Sequence, residues 1–178
     1  DQPFAHCCLG LLRILTNRPN DGIAECRRAL ALDRNLAVAH AYIGLAGVPA
    51  GRAADTEAHV VEALRFSPRD INAFAWMTIA GVGKLCIGAD EAAASWLRRA
   101  IETNPNYALS HFYLAAALAH LGHDAPAHDA TRAGLTLDPA FTARRWREVV
   151  VNPTDDPVVM AQRDRIVEGM IKAGIPAG

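Results

Sequence analysis

The sequence predicts an all-α protein, a solenoid of about four helix–turn–helix repeats followed by C-terminal capping helices. The first observation is a period of 34 residues, which separates Arg34 from Pro68 and Pro105 from Pro139. The second is that leucines and small residues recur in phase with this period, as they do in arrays of helical hairpins. The third is the abundance of alanine, which has the highest helix propensity and lets helices approach closely.

Length and charge narrow the class of protein. The chain has 178 residues, of which 51% are hydrophobic, and this suffices for one domain of ordinary globular composition. With 18 basic and 19 acidic residues, the formal net charge is −1. The chain carries no large positive charge that would attract nucleic acid or an anionic membrane, so we expect neither as a partner. No stretch approaches 18 consecutive apolar residues, so no transmembrane helix is expected.

The cysteines favour a reducing compartment. Cys7, Cys8, Cys26 and Cys86 form no Cys-x-x-Cys pair and no spacing that is typical of a disulfide framework. We expect buried, reduced thiols and a cytoplasmic location. The chain begins inside a helical pattern, without Met or a basic signal-peptide region, and we expect it to be a fragment of a longer protein.

Three of the four repeats are regular. The array is predicted over residues 1–139, with repeats at about 3–34, 37–68, 71–105 and 108–139. A large apolar residue followed by a small one occupies the same place in the first helix of each regular repeat: Leu9-Gly10, Ile43-Gly44 and Leu114-Ala115. The second helix carries small or apolar residues at i, i+4 and i+7, the stripe that faces a neighbouring helix.

The third repeat is three residues too long, because Pro68 and Pro105 lie 37 residues apart. A longer first helix is the simplest way to hold the surplus, since three residues make slightly less than one helical turn. Counting forward from the previous repeat puts Phe74 and Met77 at the inner positions of this helix. Counting backward from Gly88 puts Met77 and Gly81 there. The sequence leaves both alternatives open.

Residues 140–178 are predicted to form capping helices and a tail. The run AFTARRWREVV predicts one helix, and a break follows at Asn152-Pro153-Thr154. The last helix is predicted from Pro157 to Ala173, with Asp156 as its N-cap and Gly174 at its end. The terminal repeat of a solenoid leaves an apolar face open, and we expect this helix to cover it.

These patterns resemble the tetratricopeptide repeat, whose consensus reads W-x2-L-G-x2-Y, then A-x3-F, then P. The matching residues of the second repeat are His40, Ile43, Gly44, Thr56, Val60, Ala63 and Pro68. Histidine mostly replaces the first aromatic residue, so the resemblance depends mainly on the period and covers residues 1–139. It implies a right-handed superhelix whose concave face is formed by the first helix of each hairpin.

A narrower resemblance spans Ser67 to Pro176. The runs SPRDINAFAWMTIAG, WLRRAIETNPNY and LAAALAHLGHDAPAHDATRAGLTLDPAFT and the ending DRIVEGMIKAGIP are similar to one bacterial group. In that group, such regions follow a class III adenylate/guanylate cyclase domain or a winged-helix DNA-binding domain. The resemblance implies a non-catalytic regulatory, scaffolding or dimerising region of a larger signalling protein.

In the tetratricopeptide family, the second, fifth and ninth positions of a repeat face the concave groove. The resemblance therefore implies nine groove residues: Phe4, Cys7, Leu11, Val38, Ala41, Leu45, Leu109, Phe112 and Ala116. All are apolar, whereas gripping a peptide's terminal carboxylate requires charge-assisted donors. We expect either the apolar face of an amphipathic partner helix, or self-filling and self-association, because large apolar patches seldom stay exposed.

The sequence predicts no enzyme, cofactor or metal site in these residues. His120, His123 and His128 lie near one turn, but their spacing matches no metal-ligand signature. The basic run at 144–147 is too short to predict nucleic-acid binding in a neutral chain. No paired carboxylates and no Ser/His/Asp arrangement stand out.

His6, His40 and His111 share the fourth repeat position. They are interpreted as aromatic substitutes that pack between helices. The alternative is a row that responds to pH, since imidazole titrates near neutrality.

Overall fold

The computed structural model describes residues 2–150 and 154–178. These residues form ten α-helices and one short 3-10 helix, Ala53–Asp55, and they contain no strand. The α-helices are α1 Pro3–Leu15, α2 Pro19–Leu32, α3 Ala37–Gly47, α4 Thr56–Phe66, α5 Ala73–Cys86, α6 Asp90–Thr103, α7 Ala108–His120, α8 Asp124–Leu137, α9 Ala143–Val150 and α10 Pro157–Lys172. The break predicted at Asn152-Pro153 lies outside the described residues.

The first eight helices form four hairpins, α1–α2, α3–α4, α5–α6 and α7–α8. The second helix of each hairpin packs against the first helix of the next, and neighbouring first helices also touch. The helices α1, α3, α5 and α7 therefore form one layer, and α2, α4, α6 and α8 form the other. Among these eight helices, each hairpin contacts only the hairpins next to it in the chain, which is the organisation of a repeat solenoid. The predicted fold class is confirmed.

Small residues bring the two helices of a hairpin together. A Cβ added to Gly10 would lie 2.6 Å from Cys26 Sγ, and one added to Gly81 would lie 2.6 Å from Leu97 Cγ. Gly10 and Gly81 hold the same place in their hairpins, where the first helix crosses the second. Larger side chains would separate the helices, because protein interiors are packed without spare volume.

Each hairpin turn contains one residue with positive φ. Asn17 has φ 62°, Gly51 has 72°, Gly88 has 77° and Gly122 has 75°. Glycine adopts this left-handed conformation without a steric penalty, and asparagine is the most tolerant alternative. The other three turns have three residues each, whereas the turn after α3 is longer and holds the 3-10 helix Ala53–Asp55.

Two of the three surplus residues of the third repeat lie before its first helix, and one lies in that helix. α5 has 14 residues against 13 in α7, so the helix is hardly longer, contrary to the simplest sequence interpretation. The linker that precedes α5, residues 67–72, is longer than the linkers at 33–36 and 104–107. Met77 and Gly81 take the inner positions, as counting backward from Gly88 indicates.

The C-terminal helices close the last repeat. Asp156 caps α10 by accepting hydrogen bonds from the backbone N–H groups of Val158 and Val159, as the sequence predicts. Ile166 and Met170 of α10 are buried against the α7 side of the core. After α10 the tail returns to the start of α9, where the N–H of Ala143 donates to the Pro176 carbonyl at 2.9 Å.

α10 does not stack on α8 as a further repeat would. Its N-terminus lies beside Gly51, its middle lies beside Gly88, and its C-terminal end reaches His128 of α8. It therefore crosses the hairpin turns of the second, third and fourth repeats. None of the helices in the described ranges combines the length and hydropathy that a bilayer-spanning helix needs.

Candidate functional site

The layer of first helices lines a cavity of about 560 Å³, which we call the concave groove. α1, α3, α5 and α7 supply most of its wall, and the capping helices α9 and α10 add Trp146, Arg163 and Ile166. A volume of this size falls within the range of about 300–1,000 Å³ that ligand pockets occupy. The groove is large enough to receive several side chains of a partner.

The lining residues follow a regular helical stripe. Eight of the nineteen occupy the second, sixth and ninth positions of the repeats: Val38, Tyr42 and Leu45 in α3, Ala75, Ile79 and Val82 in α5, and Leu109 and Tyr113 in α7. The spacing i, i+4, i+7 puts side chains on one face of a helix. Three neighbouring helices present this face to the same cavity, so the groove continues from one repeat to the next.

The structure places only part of the predicted site in the groove. Val38, Leu45 and Leu109 line it. Phe4 is 61% exposed and Leu11 is partly exposed on α1, but the residues of α1 that line the cavity are Ile14 and Leu15.

The other four predicted residues are buried inside the solenoid rather than exposed in the groove. Cys7, Ala41, Phe112 and Ala116 are each 0% exposed. Cys7, Ala41 and Phe112 hold the fifth position, which points elsewhere than the sixth because successive residues of a helix are rotated by about 100°. Ala116 holds the ninth position, where α7 contacts Gly169 of α10. Phe112 packs over Gly134 of α8 and stacks on Phe141 with ring centroids 3.8 Å apart. The fifth-position residues therefore hold hairpins together.

Sequence reasoning missed the contribution of α5 and of the caps. Ala75, Ile79 and Val82 were not assigned because the third repeat could be counted in two registers. The register set by Gly88 finds Ala75 and Val82, whereas Ile79 holds the sixth position, which was not expected to face the groove. Arg163 and Ile166 lie beyond the period, on a helix whose path across the hairpins no repeat pattern indicates.

The groove wall is neutral over most of its area. Burial raises the pKa values of Tyr42, Tyr107 and Tyr113, so these phenols stay protonated at neutral pH. Among the described residues that line the groove, Arg163 alone is charged. Burial lowers the pKa of Arg163, but a guanidinium remains cationic at neutral pH.

Several polar groups of the wall are already hydrogen-bonded within the protein. The indole N–H of Trp146 donates to the Tyr113 hydroxyl at 2.9 Å, with the rings in an edge-to-face arrangement. The Thr78 hydroxyl lies 2.7 Å from the Ser110 hydroxyl and donates to the Phe74 carbonyl. These groups offer little hydrogen bonding to a ligand, so the wall acts mainly as an apolar surface.

The histidines at the fourth repeat position make different contacts. Nδ1 of His6 lies 2.8 Å from Oε2 of Glu25, and His40 stacks on Phe66 with centroids 5.6 Å apart. Nε2 of His111 lies 2.9 Å from the carbonyl of Pro105, which lies before α7. Each histidine thus contacts a different kind of group.

The histidines near the turn between α7 and α8, His120, His123 and His128, do not converge on one point. Nε2 of His120 lies 3.0 Å from the Arg165 carbonyl and so carries the proton that it donates, while His128 lies beside Gly174. Within residues 2–150 and 154–178, no three His, Cys, Asp or Glu side chains are grouped so that they could hold a metal ion.

Comparisons with known proteins identify the fold. No family model and no curated protein matches the chain. Among solved structures, it is similar to MamA, with a TM-score of 0.66 and 20% identity over 92% of this chain and 91% of that one. MamA 41-end from Desulfovibrio magneticus RS-1 gives a TM-score of 0.69 and 15% identity over 98% and 94% of the chains.

A third similar structure is YrrB, described as a TPR protein with an unusual peptide-binding site. Its TM-score is 0.63, with 18% identity over 92% of this chain and 84% of that one. Identities this low establish a shared fold rather than a shared ligand. The chain therefore has the fold of a tetratricopeptide-repeat solenoid.

Proposed function

We propose that this chain is a protein-interaction module and that its concave groove binds the apolar face of an amphipathic helix from a partner protein. The observation that carries the proposal is the continuous apolar stripe of α3, α5 and α7, which opens into a cavity of about 560 Å³. Large apolar surfaces that remain accessible usually mark interaction sites. The solenoid fold, which exposes extended concave surfaces, is suited to this use.

A helix fits this wall better than an extended peptide. An extended peptide presents its backbone N–H and C=O groups to the protein, and each such group that is buried without a partner costs free energy. The wall offers few hydrogen-bonding groups, since Thr78 and Tyr113 already bond within the protein. A helix satisfies its own backbone groups and presents only side chains.

The test uses a neutral apolar dye, N-phenyl-1-naphthylamine, and a designed amphipathic peptide of about 16 residues with leucines at i, i+4, i+7 and i+11. The dye reports access to the groove by its fluorescence, and the peptide should displace it. Leu45→Asp and Ile79→Asp place a charge in the wall and should abolish both signals. Val61→Asp is the matched control, because Val61 is exposed on α4 and lies outside the groove.

Two results would contradict the proposal. The first is that the peptide fails to displace the dye from the native protein. The second is that Val61→Asp weakens binding as much as Ile79→Asp does. Far-ultraviolet circular dichroism of each variant shows whether the helices remain folded, so that a loss of binding can be assigned to the groove.

Self-association is the second candidate, and the outer side of α1 favours it. Phe4 is 61% exposed, Leu12 is 57% exposed and Leu15 is 62% exposed. Leu15 also lines the groove, so this surface adjoins the groove wall. A second copy that covers α1 would give a concentration-dependent mass in sedimentation, and Leu12→Glu would abolish it. A strictly monomeric native chain contradicts this candidate.

We propose separately that the chain is part of a larger bacterial signalling protein. The similarity of residues 67–176 to regions that follow cyclase or winged-helix domains supports a regulatory role in a bacterial signalling protein, in the cytoplasm. The decisive observation is the coding sequence upstream of Asp1. A cyclase or winged-helix domain there supports the proposal, and any other domain contradicts it.

A further inference from the structure

Two tyrosine hydroxyls on the groove wall make no hydrogen bond within residues 2–150 and 154–178. They belong to Tyr42 of α3 and to Tyr107, which directly precedes α7, and both side chains line the cavity and are partly buried. Neither hydroxyl oxygen is fully buried, so both remain accessible to a ligand. The third tyrosine of the wall differs, because the Tyr113 hydroxyl already accepts the indole N–H of Trp146 at 2.9 Å.

The two accessible hydroxyls lie around the start of α5. The Tyr107 ring meets the Phe74 ring edge-on, with centroids 5.1 Å apart. Burial is the main cause that raises the pKa of Tyr42, and nearby groups that include Asp70 raise it further, so this phenol lies within range of the linker before α5. Asn72 ends that linker and lines the cavity, and its side-chain amide has no hydrogen-bond partner in the part of the chain that the structure describes.

These three neutral groups, the hydroxyls of Tyr42 and Tyr107 and the amide of Asn72, are called the polar edge of the groove. The first helices of a repeat array run in the same direction, so the starts of α5 and α7 lie on one side of the groove. An amphipathic helix carries polar residues along both flanks of its apolar stripe. One of these flanks faces the polar edge when the stripe lies on α3, α5 and α7.

The polar edge suits a neutral polar group better than an apolar or a charged one. An apolar side chain would cover hydroxyls that have no other partner, and burying an unpaired polar group costs free energy. A carboxylate would be repelled by Asp70. A cation finds no contact with Asp70 in the cavity, because Asp70 does not line it and its oxygens already accept from the Ser67 hydroxyl at 3.2 Å and from the Asn72 N–H at 2.9 Å. An amide both donates and accepts hydrogen bonds, so it can pair with a hydroxyl in either sense.

We infer that the helix bound in the groove carries amide side chains, glutamine or asparagine, along one flank of its apolar stripe, where they hydrogen-bond with Tyr42 and Tyr107. The inference rests on the proposed function and specifies the partner. It also extends the expectation from the sequence, which named only apolar groove residues. The tyrosines enter because one holds the sixth repeat position and the other precedes α7.

The experiment compares peptides that differ only along their flanks. The designed amphipathic peptide is made with glutamines on one flank of its leucine stripe, with glutamines on the other flank, and with alanines on both flanks. Titration calorimetry measures the affinity of each peptide for the native chain and for the double variant Tyr42→Phe/Tyr107→Phe, which keeps both rings and removes both hydroxyls. One of the glutamine peptides should bind the double variant about threefold to tenfold more weakly, as the loss of one or two hydrogen bonds implies. The alanine peptide should bind both proteins equally.

Tyr113→Phe is the matched control, because its hydroxyl lies in the same wall but is already bonded to Trp146. This variant should affect the glutamine and alanine peptides alike. Circular dichroism checks that each variant keeps its helices. Peptides with lysine or glutamate in place of the glutamines test whether a charged flank is preferred.

The outcomes separate this inference from the proposed function. If the glutamine and alanine peptides respond equally to the double variant, or if the lysine or glutamate peptide loses more affinity than the glutamine peptide, the amide-bearing partner is excluded while the apolar groove stands. If no peptide binds the native chain, the proposed function is contradicted as well.

Discussion

Arg165 of α10 forms a salt bridge with Asp90 at the start of α6, with Nη2 and Oδ2 2.7 Å apart. The same guanidinium donates from Nη1 to the carbonyl of Leu85 near the end of α5, at 2.8 Å. One side chain therefore joins α10 to both sides of the third hairpin turn. Because α10 also carries Arg163, this contact helps to hold one edge of the concave groove in place.

The first prediction concerns this contact. Arg165→Gln should destabilise the docking of α10 by about 1–2 kcal/mol, because it leaves the mostly buried Asp90 without its cation. Hydrogen exchange of the α10 amides measures the local effect. Arg147→Gln is the control, since Arg147 and Asp164 are 50% and 65% exposed and such pairs contribute about 0–1 kcal/mol. Equal acceleration of exchange in both variants would contradict the role of Arg165.

The second prediction concerns helix crossing in the third hairpin. Gly81→Ala should destabilise the chain by about 1–3 kcal/mol despite the better helix propensity of alanine, because the new Cβ would lie 2.6 Å from Leu97 Cγ. Urea unfolding measures the change. In a Leu97→Ala background the methyl group has space, so the same substitution should cost less. An identical cost in both backgrounds would rule out the steric explanation.

The third prediction compares two phenylalanines, Phe4 and Phe112, that the sequence predicted to face the groove but that do not line it in the structure. Phe112 is 0% exposed and stacks on Phe141, so Phe112→Ala should cost about 3–5 kcal/mol of folding free energy. Phe4 is 61% exposed, and Phe4→Ala should change stability by no more than about 0.5 kcal/mol. Thermal and urea unfolding of the pair measure the difference. Similar costs for the two variants would contradict the burial of Phe112 between α8 and Phe141.

The fourth prediction concerns pH. The pKa of Glu25 is lowered from its usual value of 4.5, first by its hydrogen bond with His6 and then by the charges of Arg28 and Arg13. A lowered folded-state pKa means that the carboxylate stabilises the fold above the unfolded-state value, and that this contribution is lost as pH falls through the folded-state value.

Stability should therefore change little through Glu25 between pH 7 and about 5, and it should decline below about 4.5. Glu25→Gln removes the titrating group and should reduce the loss of folding stability below about pH 4.5. Urea midpoints between pH 3 and 7 test the expectation. Urea midpoints that fall equally with pH in Glu25→Gln and in the native chain would contradict this role of Glu25.

Much of the architecture could be predicted because it repeats. The interval from Gly10 to Gly44 equals the period, and the turn glycines Gly51, Gly88 and Gly122 mark the hairpins at the same place. The α10 cap was also predictable, since Asp156-Pro157 is a local signal of a helix N-terminus.

The groove was less predictable, because its lining depends on which way each helix faces. A change of one position, from Ala41 to Tyr42 or from Phe112 to Tyr113, turns a side chain from the hairpin interior into the cavity. The contribution of Arg163 depends on the path of α10 across the turns, which is a tertiary property that no period records.

A partner helix bound in the groove would contact the apolar stripe of α3, α5 and α7. The most direct test is methyl NMR of the native chain titrated with the designed amphipathic peptide that carries leucines at i, i+4, i+7 and i+11. We expect shifts concentrated at the groove residues Val38, Leu45, Ile79 and Leu109, with little change at Val61 on α4. Shifts confined to Val61 and to the exposed leucines of α1, with the groove residues unmoved, would contradict it.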